Sequence, residues 1–308
     1  MLDALDVTVL AEDSVAYETP YLGQHGISML LHARAGELER RILVDVAQQP
    51  EPLLSNMELM GIHPSSIDGI VLTHCHYDHT RGVVSIIEAI GREHLPVVAH
   101  PDIFRLNVAL EPEFRSLGIT GRDSSERIEA AGGTLFLMRD PLPIIPGLLT
   151  SGEIPRETEY ENNETELKRI QGGRIVIDRM MDELCVYAQV AGLGTVVVTG
   201  CSHAGIVNIT RHAKRLGAGG STIAGSPGTG GPGSVHPAAT APPGAEPTSH
   251  VAAIVGGLHL IEADRNRIER TAVDLEAEGV GHLYAGHCTG FPAQVELRRT
   301  FGEAFTPL

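Results

Sequence analysis

The chain has 308 residues, 42% of them hydrophobic, which suffices for one large α/β domain; aromatics are 4% and tryptophan is absent, so the core is aliphatic. Acidic residues outnumber basic ones by 39 to 23, a net charge of −16, which argues against a grip on long nucleic acid because such proteins carry a basic face. No apolar run approaches the roughly 20 residues of a membrane helix, and the acidic start Met1-Leu2-Asp3-Ala4-Leu5-Asp6 is unlike a signal peptide, so a cytoplasmic protein is expected.

Residues 7–10, 27–32 and 41–46 read as strands, the last two joined in a hairpin through 33–39. Asp45 ends the third of them. A buried carboxylate there needs hydrogen-bond donors, either from a neighbouring loop or from the next helix, which it would cap. Residues 52–61 form a helix with Leu53, Leu54, Met57 and Met60 on one face. Residues 69–72 are a short buried strand, 83–90 a helix and 96–100 a strand, an alternation that predicts an α/β layer. Residues 102–131 read as mostly helical, and 133–138 and 148–150 as strands. The five glutamates of 157–166 read as a solvated loop. Strands at 183–190 and 195–199 precede a helix at 206–216. Residues 217–249 are rich in Gly and Pro and are expected to form a flexible insertion within the domain, so that deleting 220–247 would leave metal binding and activity intact. A strand at 251–255, a helix at 265–278 and a strand at 281–285 follow.

The chemistry concentrates in Thr73-His74-Cys75-His76-Tyr77-Asp78-His79, where strand 69–72 gives way to a helix. Imidazoles and a carboxylate at this density suit zinc, iron or manganese. Alternate residues of an extended segment share a face, so His74 and His76 can reach one metal while Asp78 and His79 reach a second. His203, His259 and His287 each lie just beyond an apolar strand and beside glycines, where open α/β sheets place their sites. Cys201 is a candidate thiolate ligand, and His25 and His100 are candidates for outer contacts. Three of the four cysteines, Cys75, Cys201 and Cys288, adjoin a histidine or stand one residue away, which fits reduced thiols better than a disulfide framework.

The H-x-H-x-D-H string resembles the metallo-β-lactamase superfamily. Five further strings in order resemble one of its groups, that of 7,8-dihydropterin-6-methyl-4-(β-D-ribofuranosyl)-aminobenzene-5′-phosphate synthase. They are Gln24-His25-Gly26-Ile27-Ser28, Ser151-Gly152-Glu153-Ile154-Pro155-Arg156, Gly200-Cys201-Ser202-His203-Ala204-Gly205-Ile206-Val207-Asn208, Gly256-Gly257-Leu258-His259-Leu260 and Gly286-His287-Cys288-Thr289-Gly290. The resemblance implies an αββα sandwich of two mixed sheets and two divalent metal ions, zinc by preference. Its ligand set would be His74, His76, Asp78, His79, His203 and His287. Cys201 would stand where many relatives carry a bridging Asp, with His259 and Asp45 as ligands or supports. The superfamily's usual third histidine is missing, since none occurs between Pro101 and Ser202, so His203 is expected to replace it.

The implied reaction is transfer of a pterin methyl carbon onto an arylamine that carries a ribose phosphate, with loss of diphosphate and the metals as Lewis acids. Arg156 would clamp phosphate, and Glu153 and His25 would contact substrate. The alternative is hydrolysis of a phosphoester, thioester or lactone by a metal-bridging hydroxide, with Asp78 or a histidine such as His203 handling the proton. Either way the partner is a small molecule, phosphorylated by preference.

Overall fold

A computed structural model describes residues 1–161, 167–218 and 250–308. Two sheets carry the architecture. The first runs in the order β1 (Ala4–Ala11), β2 (Ser28–Ala35), β3 (Leu38–Val44), β4 (Gly69–Val71), β5 (Leu95–Ala99), β6 (Gly133–Leu137). β1–β3 form an antiparallel meander, with Ala35 opposite Leu38 at the hairpin, and β3–β6 are parallel. The second sheet contains, in chain order, β7 (Pro143–Ile145), β8 (Leu148–Thr150), β9 (Val186–Val190), β10 (Gly194–Thr199), β11 (Val251–Gly257), β12 (His282–Gly286) and β13 (Phe305–Pro307), which are also spatial neighbours in that order. β7–β10 are antiparallel and β10–β13 parallel.

Period-two alternation stacks these sheets face to face. Met29, Leu31 and Ala33 of β2 share one apolar cluster with Val196 and Val198 of β10. Their neighbours point the other way: Leu30 packs with the helices over the first sheet and Val197 with those over the second. On the first sheet Leu53 and Met57 of helix Pro50–Leu59 pack beside Val83, Ile86, Ile87 and Ile90 of helix Val83–Ile90, both at helical spacing. Each fully buried Ile or Leu contributes about 1.5–3 kcal/mol. Helices Ile206–Ala218, Arg265–Ala277 and Phe291–Phe301 cover the second sheet. The result is the expected αββα order. Among the described residues no helix is long and apolar enough to cross a membrane.

Two expectations are corrected. Residues 102–131 are not mostly helical. They contain two short 3-10 turns, two short strands and only the six-residue helix Ser125–Ala130. Pro112, Gly118 and Gly121 interrupt any helical run, and Asn107–Ala109 instead pairs with Leu167–Gln171, a partner distant in sequence, in a small four-stranded sheet. The acidic loop is not wholly solvated either. Glu161 is buried and accepts the backbone N–H groups of Val207 (2.9 Å) and Asn208 (3.0 Å), in the first turn of helix Ile206–Ala218. Those donors lack helical partners, and a carboxylate both satisfies them and complements the helix dipole. Gly205 makes the approach possible, since a Cβ there would lie 2.4 Å from the Glu161 carboxylate. The Gly/Pro-rich stretch lies outside the described residues apart from residues 217 and 218.

Candidate metal centre

Parallel strands of both sheets end at one place. Thr73–His79 follows β4, Asp45 follows β3, and Cys201–His203, His259 and His287 follow β10, β11 and β12. Four of these residues turn the chain through the left-handed region although none is glycine: Asp45 (φ 58°), Ser202 (φ 69°), His259 (φ 47°) and His287 (φ 49°). Such conformations are uncommon and strained outside Gly, Asn and Asp, and they cluster where geometry matters for function.

Two groups of side chains share one sulfur. In the first, a nitrogen from each of His74 and His203 lies within 4.8 Å of Cys201 Sγ and of the other. His76 joins them, with its ring centroid 4.8 Å from that of His74 and 4.9 Å from that of His203. The Nε2 atoms of His74 and His76 and both ring nitrogens of His203 are buried without a hydrogen-bond partner. Each such orphan costs about 1–3 kcal/mol. Burial holds all three imidazoles neutral, His76 down to about 4 and the other two well below their ordinary value. Neutral rings with free lone pairs, gathered together beside a thiol, are what a metal cation requires.

In the second group Asp78, His79, His287 and Cys201 offer atoms within 4.8 Å of one another. Cys201 Sγ is 3.2 Å from His79 Nε2 and 3.4 Å from His287 Nε2. Asp78 Oδ2 is 3.5 Å and 3.3 Å from the same two nitrogens. Each imidazole is backed on its far side by a carboxylate. His79 Nδ1 lies 2.7 Å from Asp45 Oδ2, and His287 Nδ1 lies 2.9 Å from Asp13 Oδ2. This carboxylate–histidine pairing is the arrangement that orients metal-binding imidazoles. Burial alone would lower the His79 pKa, but Asp78 and Asp45 outweigh it and raise it to about 9. The two groups therefore offer nitrogen, oxygen and sulfur donors of the kind that suit zinc, with Cys201 common to both.

Asp45 is fully buried and also takes the Thr73 backbone N–H (2.7 Å) and hydroxyl (2.7 Å), so the loop backbone anticipated from the sequence is its partner. His259 lies beside the first group, its ring tilted against that of His203 with 4.0 Å between the centroids. His25 sits at the rim with a half-exposed side chain, 2.9 Å from Asp13 and 3.4 Å from Asp78. Arg156 has an occupation other than the expected phosphate clamp. Its guanidinium donates to the carbonyls of His203 (2.9 Å), Arg179 (2.5 Å) and Met180 (3.1 Å), which ties down the His203 turn. Glu153 pairs with His100 (3.0 Å) and Arg139 (2.5 Å).

Four acids that hold the site were missed in the sequence. Glu12 accepts the His287 N–H and Asp13 orients its ring. Asp182 accepts the N–H of Cys75 (2.8 Å), between the first two histidines, and pairs with Arg105 (2.7 Å). Glu183 accepts the N–H groups of His203 (2.6 Å) and Ala204 (2.5 Å). Burial raises its pKa to about 7, against the opposing pull of those donors. The available signal was an acidic pair beside an apolar strand, Glu12-Asp13 after the first and Asp182-Glu183 before another.

Residues 40–132 match the model of the β-lactamase superfamily domain. The 7,8-dihydropterin-6-methyl-4-(β-D-ribofuranosyl)-aminobenzene-5′-phosphate synthase of Methanocaldococcus jannaschii is 36% identical over 310 residues, spanning 100% of this chain and 95% of that protein. An uncharacterized protein of the same organism is 29% identical over 92% of this chain and 91% of its own. Among solved structures, one described as a metal-dependent hydrolase of the β-lactamase superfamily superposes with a TM-score of 0.73 at 20% identity, covering 99% of this chain and 96% of that one. Zinc-bound PqqB from Methylobacterium extorquens superposes with a TM-score of 0.53 at 11% identity, over 98% and 97%.

Proposed function

The chain belongs to the dihydropterin–ribofuranosylaminobenzene phosphate synthase group of the metallo-β-lactamase superfamily, and from that premise we propose that it is a metal-dependent transferase. It would join a pterin methyl carbon to an arylamine bearing a ribose phosphate, with loss of diphosphate. The observation that carries the metal dependence is the set of buried imidazoles His74, His76 and His203, which pack together with orphaned nitrogens, two of them (His74 and His203) beside the Cys201 sulfur. Identity to the synthase over the whole chain supports the reaction class.

Two divalent cations, zinc by preference, would be held by His74, His76 and His203 and by Asp78, His79 and His287, with Cys201 between them, and would supply Lewis-acid stabilisation of the departing diphosphate. The protein's own residues do the positioning. Asp45 and Asp13 present the Nε2 faces of His79 and His287 inward. Asp78 stays ionised, because His79 and His287 outweigh the effect of burial on its carboxyl. Arg156 and Glu183 fix the backbone at His203. On the solvent side His25, Tyr77 and Arg81 form a row, with 6.0 Å between the first two rings and the guanidinium 4.7 Å over Tyr77. We assign the phosphate of the substrate to this row in place of Arg156. His25 hydrogen-bonds Asp13 and faces Asp78, and it is suited to carry the proton released by the attacking amine. The four cysteines are buried and unpaired, which supports a reducing, cytoplasmic setting.

The test is metal analysis of the purified protein by mass spectrometry, together with a transfer assay and a screen of phosphodiesters and thioesters. About two ions per chain with condensation and no hydrolysis is the expected result. Hydrolysis without condensation would overturn the transfer reading, and a metal-free active protein would overturn the site.

A further inference from the structure

Two sulfurs meet across a single intervening strand of the second sheet. Cys201 follows β10 and Cys288 follows β12, with β11 between them. Strands two places apart lie about 9.5 Å from each other, beyond ordinary side-chain contact for cysteines. The intervening strand ends in Gly257, however, and a Cβ there would stand 2.6 Å from Cys288 Sγ and 2.5 Å from the Gly200 carbonyl. The Cys288 side chain occupies the space that this glycine leaves, and its thiol reaches the Cys201 carbonyl (3.5 Å). The His259 N–H donates to Cys288 Sγ at 3.3 Å, and the left-handed turn at His259 brings its ring back over the same point. Cys201 Sγ, Cys288 Sγ and a His259 ring nitrogen all lie within 4.8 Å of one another, and His259 Nδ1 is buried without a partner.

We propose that Cys201, His259 and Cys288 form a third cation position, distinct from the two histidine groups and selective for a thiophilic ion such as cadmium or copper(I). Two sulfurs and one imidazole make a softer donor set than either neighbouring group, which draws one sulfur at most among nitrogens and oxygens. The position adjoins both groups through the Cys201 sulfur, which all three donor sets contain. The proposal does not depend on which reaction the enzyme performs.

The experiment is a cadmium titration of the full-length, reduced, metal-free protein. It is followed by native mass spectrometry and by the thiolate-to-cadmium charge-transfer absorbance. The wild type is expected to bind one equivalent more than Cys288→Ser, and saturating absorbance is expected to fall to about half in the variant as one of two thiolates is lost. Equal stoichiometry and equal absorbance would overturn the proposal. Should Cys288→Ser fail to fold, cadmium-113 NMR of the wild type decides the matter. A resonance from a cadmium bound by two sulfurs is expected, and its absence overturns the third position. Loss of the earlier equivalents in the wild type would strike instead at the binuclear reading, so the two failures are distinguishable.

Discussion

Replacing Asp45 by Asn isolates the contribution of one buried charge to the metal centre. Asn tolerates the left-handed conformation at this position (φ 58°), so the backbone is not the variable. Asp45 now faces three donors and only donors: the Thr73 N–H, the Thr73 hydroxyl and His79 Nδ1. An amide offers one oxygen and one NH2, so at least one of these contacts sets donor against donor. The least costly relief is for His79 to accept at Nδ1 and carry its proton on Nε2, the nitrogen that faces Cys201 and Asp78. A protonated Nε2 cannot bind metal. Loss of such a supporting carboxylate costs about 10- to 100-fold in metal affinity, or about 1.4–2.8 kcal/mol. The assay is zinc competition with a chromophoric chelator at pH 7.5, wild type against Asp45→Asn. Affinity for both ions within twofold of wild type would refute the argument that Asp45 sets the His79 tautomer.

His76→Ala should abolish activity and empty the His74–His203 group; full metal content by mass spectrometry would remove His76 from the site. Glu161→Ala uncovers two buried N–H groups in the first turn of a helix, and a loss of about 2–4 kcal/mol is expected in urea unfolding of the zinc-loaded protein. No loss would mean that water serves those donors equally well. Glu183 is an acid whose folded pKa, about 7, lies above its ordinary 4.5. Its contribution to stability is therefore complete below pH 4.5 and is lost as pH rises through 7, by up to about 3 kcal/mol. Stability of the metal-free protein should show this fall between pH 4.5 and 7, and Glu183→Gln should flatten it; an unchanged profile in the variant would show that another group titrates.

The parts of this molecule that could be read from its sequence are those encoded locally. The string from His74 to His79 carries its own spacing, and its strand and helix are visible on either side. His203, His259 and His287 could be found because each follows an apolar strand bounded by glycine. What escaped notice depends on contacts between distant segments. The pairing of Asn107–Ala109 with Leu167–Gln171 turns a region of helical composition into strand, and no local pattern announces it. Asp13 reaches His287 across 274 positions, and Asp182 reaches Cys75 across 107. Arg156 stands beside glutamates in sequence but spends its guanidinium on carbonyls brought in by two other loops. Charge alone suggests a ligand clamp; only the fold shows which carbonyls arrive first.

The proposed ligands are divided between the two sheets. His74, His76, Asp78 and His79 leave the first, while Cys201, His203 and His287 leave the second. Away from this point the sheets meet through an apolar face that has no direction of its own, and a bridge between Leu2 and Val190 gives a backbone contact from the other side of the stack. Bound cations would therefore act as a rivet through both layers, fixing their relative slide as well as the chemistry between them. Amide hydrogen exchange should register this: on chelation, β3–β5 and β10–β12 would lose protection together near their carboxyl ends, as one mechanical unit spread over two sheets.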